Sequence, residues 1–141
     1  EAAAGGAAGD GGVNEADLVW SPWHADHDSV RDSRCRRHTV VGGWEIEEID
    51  NGRSSRYSVF ARHLPGPVSF SAWSIGEALV RMADVDRQAA ELRAGIGISL
   101  GQRAQIEHAC VGVASAIWTG VGWHCECGEV VFPPVAVVAL R

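Results

Sequence analysis

The chain has 141 residues, 46% of them hydrophobic, and a formal charge of −6 at pH 7. A length near 150 residues predicts one domain, and this hydrophobic fraction is enough to form a buried core. The negative charge disfavours a surface devoted to nucleic acid or to an anionic membrane. The sequence has no run of 18 apolar residues, so it predicts no membrane-spanning helix. We therefore expect a cytoplasmic protein that makes no contact with membranes.

The N-terminal region differs in composition from the rest. Residues 1–12 contain only Glu, Ala, Gly and Asp, so residues 1–17 are predicted to form a flexible arm and residues 18–141 a single domain. Leu18–Arg37 shows no clean period and is predicted to be an irregular segment. All twelve basic residues are Arg, and Gly, Ala and Val are abundant. Because these residues have GC-rich codons, the composition indicates a high-GC bacterium or one of its phages as the source.

A β-hairpin is the clearest local signal. Trp44–Asp50 and Arg53–Arg62 flank Asn51-Gly52, the dipeptide that favours a two-residue turn with positive φ. This turn would place Asp50 opposite Arg53, with an apolar face that includes Trp44 and Ile46 and a charged face on the other side.

The flanks of the hairpin are also predicted to be extended. His38–Val41 should lengthen the first strand, with Gly42 and Gly43 marking a bulge or a close approach. Val68–Trp73 alternates in polarity like a third strand.

Two helices are predicted next. Ser74 and Glu77 have the spacing of a capping box, and apolar residues then recur every three or four positions, which predicts a helix over 75–94. Ser99–Gln102 repeats the start signal. It predicts a second helix whose later part, Ala109–Trp118, is buried because it is apolar on nearly every side.

After Gly120, residues 121–132 suggest a hairpin and residues 135–140 a further extended segment. The expected order is β-β-β-α-α-β-β, an α+β fold with an antiparallel sheet packed on two helices. The predicted core consists of Trp44, Ile46, Tyr57, Val59, Leu79, Met82, Leu92, Val113, Ile117 and Trp118.

The cysteines suggest a metal site. Cys125 and Cys127 would point to the same face of a strand, and a turn could bring Cys35 and His38, three residues apart, onto one ion. Cys35, His38, Cys125 and Cys127 would together form the Cys₃His set of a structural zinc site. The alternative is that the cysteines pack as small hydrophobic residues.

No motif identifies a reaction, so we expect a small non-enzymatic binding or accessory module that acts through a protein partner or as a homo-oligomer, with structural zinc. A second hypothesis is a metal-dependent hydrolase that uses the His24–Asp28 cluster, because dense imidazoles and carboxylates can polarise water. A third is a nucleic-acid-binding regulator that uses Arg31–Arg37, although this segment could equally pair with Glu45, Glu47, Glu48 and Asp50.

Overall fold

The computed structural model describes residues 13–25, 35–109 and 112–141. The chain divides into two compact units, Glu1–Asp84 and Val85–Arg141. Each unit contains one five-stranded antiparallel sheet. The expected α+β class agrees with this architecture, but the described residues contain one α-helix and not two. The prediction of a single domain over 18–141 stays a prediction.

The sheet of the first unit is a meander, because its strands pair in the order in which they follow one another along the chain. A 3₁₀ turn at Glu15–Asp17 precedes it. The strands are β1 (His24–Ala25), β2 (Cys35–Val41), β3 (Trp44–Asp50), β4 (Ser55–Ala61) and β5 (Val68–Ala72), and helix α1 (Ile75–Arg93) follows β5.

The predicted hairpin is present as β3 and β4, but its register differs by two residues. Asp50 lies opposite Ser55 and not opposite Arg53. The reason is Asn51, which does not adopt positive φ. Its side-chain oxygen instead accepts hydrogen bonds from the backbone N–H groups of Arg53 and Ser54, at 2.9 and 3.0 Å, and this widens the loop. A shift of two residues keeps each side chain on its predicted face.

The tight two-residue turn lies one hairpin earlier. Gly42 and Gly43 have φ of 56° and 84° and connect Val41 to the opposite residue Trp44. The expected bulge is therefore a turn between two strands, although the close approach is present. A Cβ added to Gly43 would lie 2.6 Å from the ring of His63, whose Nδ1 lies 3.1 Å from the Gly43 carbonyl oxygen.

Helix α1 matches the predicted helix closely. The Glu77 backbone N–H donates to Ser74 Oγ at 3.0 Å, and the Glu77 carboxylate accepts from the Trp73 backbone N–H at 2.9 Å. These bonds satisfy groups that a helix start leaves unpaired. Arg81 lies over the Phe70 ring and donates to the Ser71 carbonyl, which joins the helix to β5. Among the described residues, no helix has both the length and the apolar character needed to cross a membrane.

The predicted second helix is wrong, because the structure has two strands in that region. The second unit consists of β6 (Arg103–His108), β7 (Gly112–Trp118), β8 (Trp123–Cys125), β9 (Val130–Val131) and β10 (Val137–Leu140). Their order in the sheet is β10-β6-β7-β8-β9. Burial alternates with a period of two on β7, where Ala114, Ala116 and Trp118 are buried. Residues 112–118 of the apolar run thus form a strand whose inner face carries two alanines and a tryptophan.

The two units have separate buried residues. In the second unit these include Ala104, Ile106, Ala116, Trp118, Trp123 and Val135. In the first unit they include Trp44, Ile46, Val59, Ala72, Ala78 and Met82. The predicted core residues Val113 and Ile117 are instead 53% and 42% exposed, because they lie on the outer face of β7. Tyr57, Leu79 and Leu92 are half-buried.

Candidate metal centre

Three side chains that can bind a metal lie together in the second unit. The ligand atoms of His108, Cys125 and Cys127 all lie within 4.8 Å of one another. Cys125 is fully buried, His108 is half-buried and Cys127 is exposed. The group, which we call the His-Cys-Cys group, therefore reaches from the core of the unit to its surface.

The sheet register brings these residues together. His108 ends β6 in phase with the buried Ala104 and Ile106, so all three point to the inner face. Cys125 ends β8 opposite the buried Ala116 and points to the same face. Strand β7 runs between β6 and β8, and its residues opposite these ligands are small: Gly112 is opposite His108, and Ala116 is opposite Cys125.

A tight turn carries the second thiol. The Cys125 backbone N–H donates to the Glu129 carbonyl at 2.8 Å, and the Gly128 N–H donates to the Cys125 carbonyl at 2.9 Å. Gly128 has φ of 98°, a conformation that residues with a side chain rarely adopt. These bonds fold residues 125–129 back on themselves and hold Cys127 beside Cys125.

His108 provides a second observation that points to a ligand. Its Nε2 atom is shielded from solvent and has no hydrogen-bond partner. A buried polar atom without a partner is costly, and a bound water or ion is one of the ways in which native structures satisfy such an atom. The nearest carboxylate is Glu129, whose Oε2 lies 3.5 Å from Nε2, too far for a good hydrogen bond.

The donor set suits zinc. Tetrahedral zinc has Zn–S bonds near 2.3 Å and Zn–N bonds near 2.0–2.1 Å, which place ligand atoms roughly 3.5–3.8 Å apart. Separations of up to 4.8 Å in the His-Cys-Cys group would shorten by up to about 1.3 Å to reach these values. Soft thiolates together with an imidazole select zinc over magnesium or calcium, which prefer oxygen ligands.

The four residues predicted as one zinc site lie in different units. Cys125 and Cys127 belong to the His-Cys-Cys group in the second unit, whereas Cys35 and His38 lie on β2 in the first. Cys35 pairs with Asp50 across the sheet, and the His38 backbone N–H donates to Ser21 Oγ at 2.9 Å. The four-residue set as a whole stays a prediction.

His108 was not predicted as a ligand, because its region was predicted to be helical. A helix over this region places His108 and its neighbours on different faces, whereas a strand places Ala104, Ile106 and His108 on one face. The signal that could have identified it is the polar–apolar alternation of Arg103–His108. Cys110, which falls within the predicted second helix, lies outside the described residues.

The His24–Asp28 cluster, proposed for a hydrolase, is only partly described. His24 is exposed on β1, where it pairs with Arg36 of β2. Residues 26–28 lie outside the described residues. The metal-ligand group found among the described residues does not include His24.

The arginine segment contains two described members, and both make ion pairs with β3. Arg36 contacts Glu47 at 3.0 Å, and Arg37 contacts the buried Glu48 at 2.8 Å. The guanidinium carbon of Arg37 lies 4.4 Å from the ring centre of Trp20 and 4.6 Å from that of Trp23. These two arginines thus form the predicted ion pairs with the acidic residues of β3. Residues 31–34 lie outside the described part of the chain.

Comparisons with protein families, curated proteins and solved structures find no match for this chain.

Proposed function

We propose that this chain is a small binding module of the non-enzymatic kind, whose second unit is stabilised by a zinc ion bound to the His-Cys-Cys group. The observation that carries the proposal is the position of an imidazole and two thiols whose ligand atoms lie within 4.8 Å of one another. The buried Nε2 of His108, which has no hydrogen-bond partner, supports it. The module acts through a protein partner, which is an expectation from its small size and from the absence of a catalytic motif in its sequence.

The location of the group supports a structural role for the metal. The three ligands come from the end of β6, the end of β8 and the turn after β8, so one ion would link the middle of the sheet to its edge hairpin. Short strands such as β9, with two residues, gain little from their own hydrogen bonds. A metal that ties the β8–β9 turn to β6 would stabilise these short strands against unfolding.

The first experiment measures metal binding directly. Full-length protein is prepared without metal, titrated with zinc and then with cobalt, and analysed for metal content and for the absorption of tetrahedral cobalt–thiolate complexes. We expect one ion per chain and thiolate-to-cobalt absorption. Cys127→Ser is the variant of choice, because Cys127 is exposed and its replacement leaves the core intact. We expect this variant to lose the cobalt–thiolate absorption or to bind zinc at least tenfold more weakly.

Matched controls come from the first unit. Cys35→Ser makes the same chemical change at the half-buried thiol of β2, and His38→Ala matches His108→Ala. The proposal expects metal binding to survive both control changes. Loss of metal in Cys35→Ser and His38→Ala, with retention in His108→Ala, would instead assign the site to the first sheet. Failure of the unaltered protein to bind either metal would refute the zinc site altogether.

The fourth ligand distinguishes a structural ion from a catalytic one. Three protein ligands with a bound water are typical of catalytic zinc, whereas four protein ligands are typical of structural zinc. We propose Glu129 as the fourth ligand, because its carboxylate is 3.5 Å from His108 Nε2. Glu129 does not belong to the group of ligand atoms that all lie within 4.8 Å of one another, so its side chain would have to turn towards the thiols to bind the ion. Glu129→Gln should shift the cobalt spectrum. A spectrum that changes in Cys110→Ser and not in Glu129→Gln would show this assignment to be wrong.

A further inference from the structure

A pocket on the outer face of the second sheet has no role in the metal site. It has a volume of about 230 Å³, and the side chains that line it include Arg103, Ser115, Ile117, His124, Glu126 and Arg141. Pockets for drug-sized ligands usually measure roughly 300–1,000 Å³. This pocket is smaller than that range and therefore suits a small ion or one functional group of a larger ligand.

The sheet register explains why polar side chains meet here. Arg103 of β6 is opposite Ile117 of β7, which is opposite His124 of β8, so the three form one row across the sheet. Neighbouring strands are about 4.8 Å apart, so the outer members of the row are separated by about 10 Å. Arg141 adjoins this row, because its backbone N–H donates to the Arg103 carbonyl at 2.9 Å.

The arginine side chains of the pocket have unused donors. Among the described residues, the guanidinium groups of Arg103 and Arg141 make no hydrogen bond or ion pair, and neither contacts the Glu126 carboxylate within 4.0 Å. The chain as a whole carries a charge of −6, so two unpaired arginines beside one pocket stand out from their surroundings. Two guanidinium groups offer planar forks of donors that match the oxygens of a carboxylate or a phosphate.

We propose that this pocket binds the oxyanion of a ligand, a carboxylate or a phosphate, through Arg103 and Arg141. The Ser115 hydroxyl and the His124 ring can add donors, and Ile117 offers an apolar wall to the carbon atoms that carry the anion. Glu126 at the same pocket opposes a high negative charge, so the site favours an anion with a single negative group over a polyanion. The site is independent of the zinc proposal, because none of its side chains is a metal ligand.

The test is a titration of isotope-labelled full-length protein with sodium acetate and, separately, with sodium phosphate, at constant ionic strength, followed by NMR of the backbone amides. We expect saturable shifts centred on Arg103, Ile117 and His124. The stronger of the two probes identifies the ligand as a carboxylate or a phosphate. Arg103→Gln should weaken the stronger interaction by about tenfold, the effect of losing one hydrogen bond to a charged group.

Arg53→Gln is the matched control, since Arg53 is exposed in the β3–β4 loop and its replacement changes the net charge equally. It should change the dissociation constant by less than about twofold. Equal weakening in Arg53→Gln and Arg103→Gln would show that the anion responds only to overall charge and would overturn the proposal. So would the absence of a saturable shift with both probes. Arg141→Gln provides a second variant if Arg103→Gln fails to fold.

Discussion

Zinc should stabilise the second unit by an amount that follows from where its ligands lie in the chain. An ion bound to His108 and Cys127 closes a loop of roughly 20 residues. The chain-entropy model for a covalent cross-link of this length gives about 3 kcal/mol. Mass action gives a similar value, because free zinc at 100 times its dissociation constant adds about 2.7 kcal/mol to the free energy of unfolding.

The assay is hydrogen exchange of backbone amides in β6 and β8, with and without zinc, in the unaltered protein and in Cys127→Ser. A gain of about 3 kcal/mol would slow exchange through unfolding of this unit by roughly a hundredfold. Without zinc, Cys127→Ser should match the unaltered protein to within about 0.5 kcal/mol, because surface substitutions cost little. With zinc it should lack most of the gain.

Lower pH should remove the zinc-dependent stabilisation, because thiols and imidazole bind metal only after losing their protons. Exchange that is unchanged by zinc, or equal protection by zinc in Cys127→Ser, would refute the reasoning. The Cys35→Ser variant supplies the comparison, since the proposal expects it to keep the full zinc-dependent gain.

Two further predictions concern the first unit. Gly43→Ala should lower the free energy of unfolding, measured by urea denaturation, by more than Gly52→Ala does. Both glycines have positive φ, but only at Gly43 would the new Cβ meet the ring of His63. Equal losses in the two variants would show that the ring moves away at no cost. Burial raises the pKa of Tyr57, and the negative charge and hydrogen bond of Glu48 raise it further. The unfolded chain therefore loses the phenol proton first, and the free energy of unfolding should fall as pH rises above about 10. Tyr57 is the only tyrosine, so tyrosinate absorbance reports on it alone, and Glu48→Gln should lower its pKa; an unchanged titration would contradict the role of Glu48.

Buried Glu48 shows how tertiary contacts change the meaning of a pattern. Its position in Trp44–Asp50 places it on the same face as Trp44 and Ile46, whereas the charges were expected on the opposite face. The carboxylate is accommodated because Arg37 contacts it at 2.8 Å and the Tyr57 hydroxyl donates to it at 3.2 Å. Both partners come from neighbouring strands, so the β3 sequence alone could not reveal that a buried charge would be satisfied.

The elements that could be predicted from sequence are those specified by local chemistry. The capping box at Ser74 marked the start of α1, and β5 follows the alternation of Val68–Ala72. The hairpin at residues 44–61 was predicted with Trp44 and Ile46 on its buried face, but its loop was not predicted, because the Asn51 side chain accepts hydrogen bonds from the loop backbone and Asn51 does not adopt positive φ. Local signals thus located these elements more reliably than they set their registers.

By itself, the sequence determined where the helix starts, that residues 44–61 form a hairpin and that Cys125 and Cys127 lie near one another. The third member of the His-Cys-Cys group and the oxyanion pocket were decided only by the tertiary structure. Both depend on β6 pairing with β7 and on β7 pairing with β8, contacts that join residues up to 14 positions apart, as in the pair of Arg103 and Ile117. An apolar run such as 112–118 satisfies its hydrogen bonds either within a helix or between strands, and the partner strands decide between the two.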